Sequence, residues 1–228
     1  MVMQPRRMAR LSSMPDRPLR RDAERNRQRV LAAAREVFAA RGVDVTLDDI
    51  AHHAGVGVGT VYRRFPSREL LVEALFAERL ERLVALAAEA RADPDPWAAL
   101  VRFAELSAAD MAADRGLRDV VFSRVHGREH VERARARLEP EIDDLVARAH
   151  AAGALRPGVA GGDLVMLQFM VAAVLEYSEN AAPGLWRRYL AVALDGLRSG
   201  CERLPGASPD ANILTRVAQE WRPPRRPA

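Results

Sequence analysis

The sequence predicts an all-α protein in two parts, a small N-terminal three-helix unit and a larger C-terminal helical bundle. Three observations carry that prediction. Apolar residues recur at i, i+3 and i+4 through most of the chain. No stretch alternates apolar and polar residues in the manner of a half-buried strand rich in Val, Ile, Thr and aromatics. Glycine and proline clusters then cut the pattern into segments of about 15 to 25 residues joined by short loops, which favours antiparallel packing of about nine helices, with a short tenth near the C-terminus.

Residues 1–20 are rich in proline and arginine and lack a helical period, so they read as a flexible basic arm. A helix is expected from Arg21, with Val30, Leu31, Ala34, Val37 and Phe38 on one face and a stop at Arg41-Gly42. Thr46 is placed to cap a second helix, with Asp49 in the reciprocal capping position. Ile50, Ala51 and Ala54 form its buried side, and Gly55 supplies a residue able to take positive φ in a sharp turn. A third short helix follows from about Val58, burying Val61 and Phe65, before Pro66-Ser67 starts the next. From Ser67 the pattern is helical, punctuated at Asp93-Pro94, Arg115-Gly116, Gly127, residues 153–162, Pro183-Gly184 and residues 200–205. The expected division is therefore 1–20 arm, 21–66 helix-turn-helix, 67–204 bundle and 205–228 tail, the tail with one short helix around Ile213 to Trp221.

Composition bounds the function. The 228 residues are 49% hydrophobic and 29% charged, enough apolar side chain for a sizeable core and too much for a disordered chain. The single cysteine, Cys201, excludes an internal disulfide, and with no secretion signal the chain reads as cytoplasmic. The longest nearly apolar run, Leu164 to Leu175, is 12 residues with Gln168 inside it, short of the ~18 to 20 that span a bilayer. Charge is uneven: residues 1–68 hold 14 Arg against 7 acidic residues, and residues 69–220 hold 18 against 24. The basic end is the N-terminal one, whose arm is either a solvated tail or a segment that lies along DNA phosphates.

Ala51, Gly55 and Val61 set a small residue where two helices cross, a permissive residue in the turn and a branched apolar residue sealing the pair. That spacing suits a helix-turn-helix whose second helix enters the major groove of double-stranded DNA. Its outward side offers Thr60, Tyr62, Arg63 and Arg64, groups suited to phosphates and base edges. Nothing in the unit suits catalysis. Gly55, Gly57 and Gly59 do not form a phosphate-binding loop, since no strand precedes them and no Gly-Lys-Ser/Thr follows.

Residues 46–75, above all the run GVGVGTVYRRFPSRELL, closely resemble the DNA-binding signature of the tetracycline-repressor (TetR) family, and the resemblance extends back over RQRVLAAAREVFAARG. It implies DNA contacts at Thr46, Leu47, Val58, Gly59, Thr60, Tyr62, Arg63 and Arg64, and at Arg68, where members usually carry a lysine. Val58 and Gly59 cannot hydrogen-bond a base edge, so specificity is expected from Thr60, Tyr62, the arginines and DNA shape. The resemblance further implies a homodimeric regulator, a repressor released from a near-palindromic operator by a small-molecule effector, with no cofactor and no enzymatic activity. The effector pocket is expected among Trp97, Phe103, Met111, Phe122, His126, Met166, Phe169, Met170 and Tyr177. The dimer interface is expected on the last two long helices, at Leu164, Leu175, Trp186, Tyr189, Leu190, Leu194 and Leu197.

Two other classes compete. His126, Glu129 and His130 match a five-residue pattern found in zinc hydrolases, which would make the chain a metal-dependent hydrolase or a metal sensor, but Gly127 and the lack of a third-ligand helix argue against a metal site. A non-specific architectural DNA-binding protein is the second alternative, resting on the basic arm.

Overall fold

The computed structural model describes residues 16–41, 45–113, 129–178, 180–200 and 202–220. Nine helices lie among them. The N-terminal unit is α1 (Asp16–Arg41), α2 (Leu47–Ala54) and α3 (Val58–Arg64). The bundle follows with α4 (Arg68–Ala90), α5 (Pro96–Ala113), α6 (Glu129–Ala151), α7 (Gly161–Ser178) and α8 (Leu185–Asp195), and α9 (Ala211–Glu220) ends the described chain. No strand occurs among the described residues; an isolated bridge joins Leu155 to Arg198.

α1 begins at Asp16, five residues before the expected start. Pro18 sits in its first turn, where the missing N–H would have no intrahelical partner in any case, so this proline is compatible with a helix start. The expected stripe on α1 is buried, with Leu31, Ala34 and Phe38 fully enclosed against Ile50, Ala51 and Val61. Pro66 separates the unit from α4, whose N-cap Ser67 accepts a hydrogen bond from the Leu70 N–H.

In the bundle α4 runs along α6, α5 packs on α4 and α7, and α7 pairs with α8. Ala87, Ala90, Ala99, Ala104, Ala108 and Ala149 are buried almost completely, and small side chains of this kind allow helix axes to approach closely. No helix of the described residues is long and apolar enough to cross a membrane.

Candidate DNA-binding surface and ligand cavity

The helix-turn-helix is built by local hydrogen bonds that the sequence encodes. Thr46 Oγ1 accepts from the Asp49 N–H at 3.1 Å, and Asp49 Oδ2 accepts from the Thr46 N–H at 3.1 Å. Two of the backbone donors at the start of α2 that lack an intrahelical partner are thereby satisfied. The Thr46 hydroxyl also donates to Asp49 Oδ2 at 2.6 Å, and this bond first, then the Thr46 N–H and Arg41 at 3.1 Å, holds the Asp49 carboxyl down at about 2. Gly55 ends α2 at φ 61° and ψ 38°, in the left-handed region, and its N–H reaches the Ala51 and His52 carbonyls. Arg29 of α1 donates to the Ala54 carbonyl at 2.9 Å, fastening the turn to the first helix.

α3 then presents its outer side to solvent. Tyr62 is half exposed and donates to Asp48, which pushes its phenol pKa up. Arg63 lies along its own helix, donating to the Gly59 carbonyl at 3.1 Å and to Thr60 Oγ1 at 3.3 Å. Arg64 reaches Glu24 at 3.8 Å, and Arg68 lies 3.8 Å from Glu69. Val58 is exposed, and a Cβ added at Gly59 would have nothing within 4 Å. Thr46, Val58, Gly59, Thr60, Tyr62, Arg63, Arg64 and Arg68 therefore all keep solvent-accessible surface, Thr60 and Arg68 less than the others. Leu47 differs: its side chain is buried in the helix-turn-helix core, which leaves only its backbone for an outside contact. His52 and His53 are exposed, with His53 Nε2 at 2.6 Å from Glu36.

The second feature is a cavity of about 430 Å³, partly open to solvent and lined by α4, α5, α6, α7 and the segment leading into α9. Of the residues expected there, Phe103, Met111 and Phe169 line it. Trp97 instead lines a groove between α5 and α8, where Arg198 stacks on its ring at 4.9 Å. Met166 is absent from the cavity wall, and Met170 and Tyr177 are 59% and 76% exposed on the outside of α7. Phe122, His126 and Cys201 lie outside the described residues, as does the side chain of His130, and among the described residues no cluster of His, Cys, Asp or Glu could hold a metal. Sequence reasoning missed the polar wall: Arg79, Ser107 and Gln168, of which Arg79 and Ser107 are buried. Gln168 had one visible signal, an amide inside the most apolar run of the chain.

Leu164, Leu175, Trp186, Leu190 and Leu194, expected between subunits, are buried within the single chain, and Leu164 is a wall of the cavity. Leu197 is partly buried against the same core. Tyr189 is 51% exposed and Val192, one turn on, 60%. With Met170 and Tyr177 they form apolar surface on two adjacent helices.

A capped helix-turn-helix with a basic outer face, followed by a helical bundle that lines a cavity, defines the class as a DNA-binding regulator. The chain belongs to the TetR family of bacterial transcriptional regulators. The model of the "Bacterial regulatory proteins, tetR family" matches residues 30–75, and that of the "Transcriptional regulator SbtR-like, C-terminal domain" matches residues 95–199. A TetR regulatory protein of known structure from Mycobacterium vanbaalenii is 34% identical, the alignment covering 79% of this chain and 99% of that one with a TM-score of 0.55. One from Streptomyces coelicolor is 31% identical over 77% of this chain and 99% of that one, also at 0.55. The regulator SrpR of Pseudomonas putida is 49% identical over 59 residues, which are 25% of this chain and 28% of SrpR. Members of the family regulate transcription and are not enzymes, which sets the hydrolase reading aside.

Proposed function

We propose that the protein is a homodimeric repressor that binds a near-palindromic operator through α3 and is released when a small molecule occupies the cavity. The observation that carries this reading is the joint arrangement on α4: the helix contacts α1 of the DNA-binding unit through Glu78 and forms a cavity wall through Phe76, Arg79 and Leu80. A ligand that favours one position of α4 would alter the separation of two recognition helices in a dimer, and DNA release would follow from its differential affinity for the two arrangements.

Thr46, Thr60, Tyr62, Arg63 and Arg64 are the proposed contacts to phosphates and bases, with Val58 and Gly59 close to the DNA backbone and Arg68 on a phosphate. The proposed dimer face is the exposed apolar surface of α7 and α8 at Met170, Tyr177, Tyr189 and Val192, because large apolar groups grouped on adjacent helices favour burial, and two half-sites one helical turn apart suit an isologous dimer. The site of action is the cytoplasm. Titrating small molecules into a complex of the protein with labelled DNA from upstream of its own gene tests the reading. Release by a compound that also raises the unfolding temperature of the free protein is expected, whereas no change in DNA binding with a ligand bound in the cavity would contradict it.

A further inference from the structure

The C-terminal segment is fastened to the bundle at one point, leaves it, and returns over the cavity. Up to Leu204 it is fixed: Arg156 donates to the Glu202 carbonyl at 2.9 Å, and Leu204 packs against the core. Pro205, Gly206 and Ala207 are exposed, with Gly206 at φ 77° and open space around it. Residues 208–215 then come back. Ser208, Pro209, Leu214 and Thr215 are half-buried, and Ser208, Pro209, Ala211 and Leu214 supply one wall of the cavity.

The seat is real but one-sided. A Cβ at Gly162 would overlap the Pro209 carbonyl, so the start of α7 and the returning segment meet backbone to backbone because residue 162 is glycine. Arg135 of α6 donates to Thr215 Oγ1 at 2.9 Å, and Asp210 caps α9 through the Ile213 N–H at 2.8 Å. On the other side Ile213, Arg216 and Val217 stay exposed. A helix of 10 residues is marginal by itself in water, so α9 owes its order to this seat. Chain that hangs on an exposed connection and packs by one side opens at a lower free-energy cost than the core of the bundle.

We infer, on the ligand-binding reading above, that residues 208–217 form a ligand-coupled cover: a largely apolar ligand is held beneath them, enters and leaves as they lift about residues 205–207, and seats them more firmly when bound. The wall opposite the cover, with Phe76, Leu80, Phe103, Leu164 and Phe169, sets the apolar class. A molecule filling the space between that wall and Pro209 and Leu214 gains contact with both, so ligand binding and seating of the cover strengthen each other by the same factor.

The test uses the full chain and a neutral apolar fluorophore, N-phenyl-1-naphthylamine. Hydrogen exchange read by mass spectrometry should show residues 208–217 exchanging faster than α4 and α7 in the free protein. Bound probe should slow them, together with the stretches of α4 and α7 that line the cavity. Thr215→Val removes the hydrogen bond from Arg135 and should speed release of the probe, followed by stopped-flow fluorescence, about threefold. Gly162→Ala, which must displace Pro209, should speed it further; Thr215→Val carries the test if the alanine variant does not fold. Exchange in α4 and α5 should stay as in the wild type, which separates a loosened cover from a general loss of stability. Probe that slows α4 and α7 while residues 208–217 exchange as before, or that leaves Thr215→Val no faster than the wild type, would overturn the inference and leave the cavity a binding site. Probe that slows none of these stretches would remove the binding-site reading, and this inference with it.

Discussion

Glu78 and Arg79 are consecutive residues of α4 whose side chains meet different neighbours. The Glu78 carboxylate takes Arg27 at 2.9 Å and Arg35 at 2.5 Å, both from α1, while Arg79 is buried in the cavity wall. One helical position thus separates the contact with the DNA-binding unit from the contact with the ligand space. Because Glu78 is only 19% exposed, its ion pairs are less screened than surface pairs. Glu78→Gln should cost about 1 to 3 kcal/mol of stability, read as a fall in unfolding temperature, and should lower the affinity for DNA by letting α1 shift against α4. Unchanged thermal unfolding would show that the pairs are incidental.

Two glycines of the helix-turn-helix should behave oppositely. Gly55 holds φ at 61°, and an added Cβ would meet Arg29 Nη2 at 3.4 Å, so Gly55→Ala should destabilise the protein by about 1 to 2 kcal/mol in urea unfolding. Gly59 lies inside α3 with open space around it, so Gly59→Ala should stabilise the free protein by about 0.5 to 1 kcal/mol. If DNA approaches the backbone there, the same change should weaken DNA binding, and the two measurements together separate a folding role from a contact role.

Acid pH should act on the capping box. The Asp49 carboxyl sits at about 2, held chiefly by the Thr46 side chain and then by the Thr46 N–H and Arg41. A depressed carboxyl favours the folded state fully above its ordinary value of about 4, and that contribution is lost as pH falls toward 2. In Thr46→Val the carboxyl should move back toward the ordinary value, followed by carbon NMR of Asp49. An unchanged titration would mean that Thr46 is not the principal cause.

The proposed dimer face makes a prediction about assembly. Tyr177→Arg and Val192→Arg change exposed positions and should leave the fold intact. Sedimentation should nevertheless show monomers, with operator binding much reduced because half-site pairing is lost. A dimer that persists in the double variant would place the interface elsewhere.

The helix-turn-helix was the most legible part of the chain because its signals are local. A Thr with Asp three residues on and a Gly at the turn dictate hydrogen bonds and φ values within ten residues, and Thr46, Asp49 and Gly55 adopt them. The bundle was legible only as helices. Periodicity says which residues share a face, but not which neighbour that face meets. For that reason Leu164 and Trp186 look alike in sequence as candidate interface residues and are both buried within the chain, while Met170 and Tyr177, expected inside, face out. The start of α1 at Asp16 was obscured by Pro18, which a first helical turn tolerates. The contribution of Ser208, Pro209, Asp210, Ala211 and Leu214 to the cavity wall depends on a tertiary return of the chain, for which no local pattern exists.

The central claim is sequence-specific DNA binding through α3. Its most direct test is fluorescence anisotropy of the purified protein with DNA from upstream of its own and adjacent genes, against scrambled DNA of equal composition, at two salt concentrations. A dimer bound to a near-palindromic site far more tightly than to the scrambled control is the expected result. Arg63→Ala or Arg64→Ala should lose at least tenfold on the operator where the side chain reads a base, and Arg68→Ala should weaken both DNAs alike with a smaller salt slope. Equal binding to operator and scrambled DNA at both salts, with all three variants losing alike, would contradict it and favour a non-specific architectural protein.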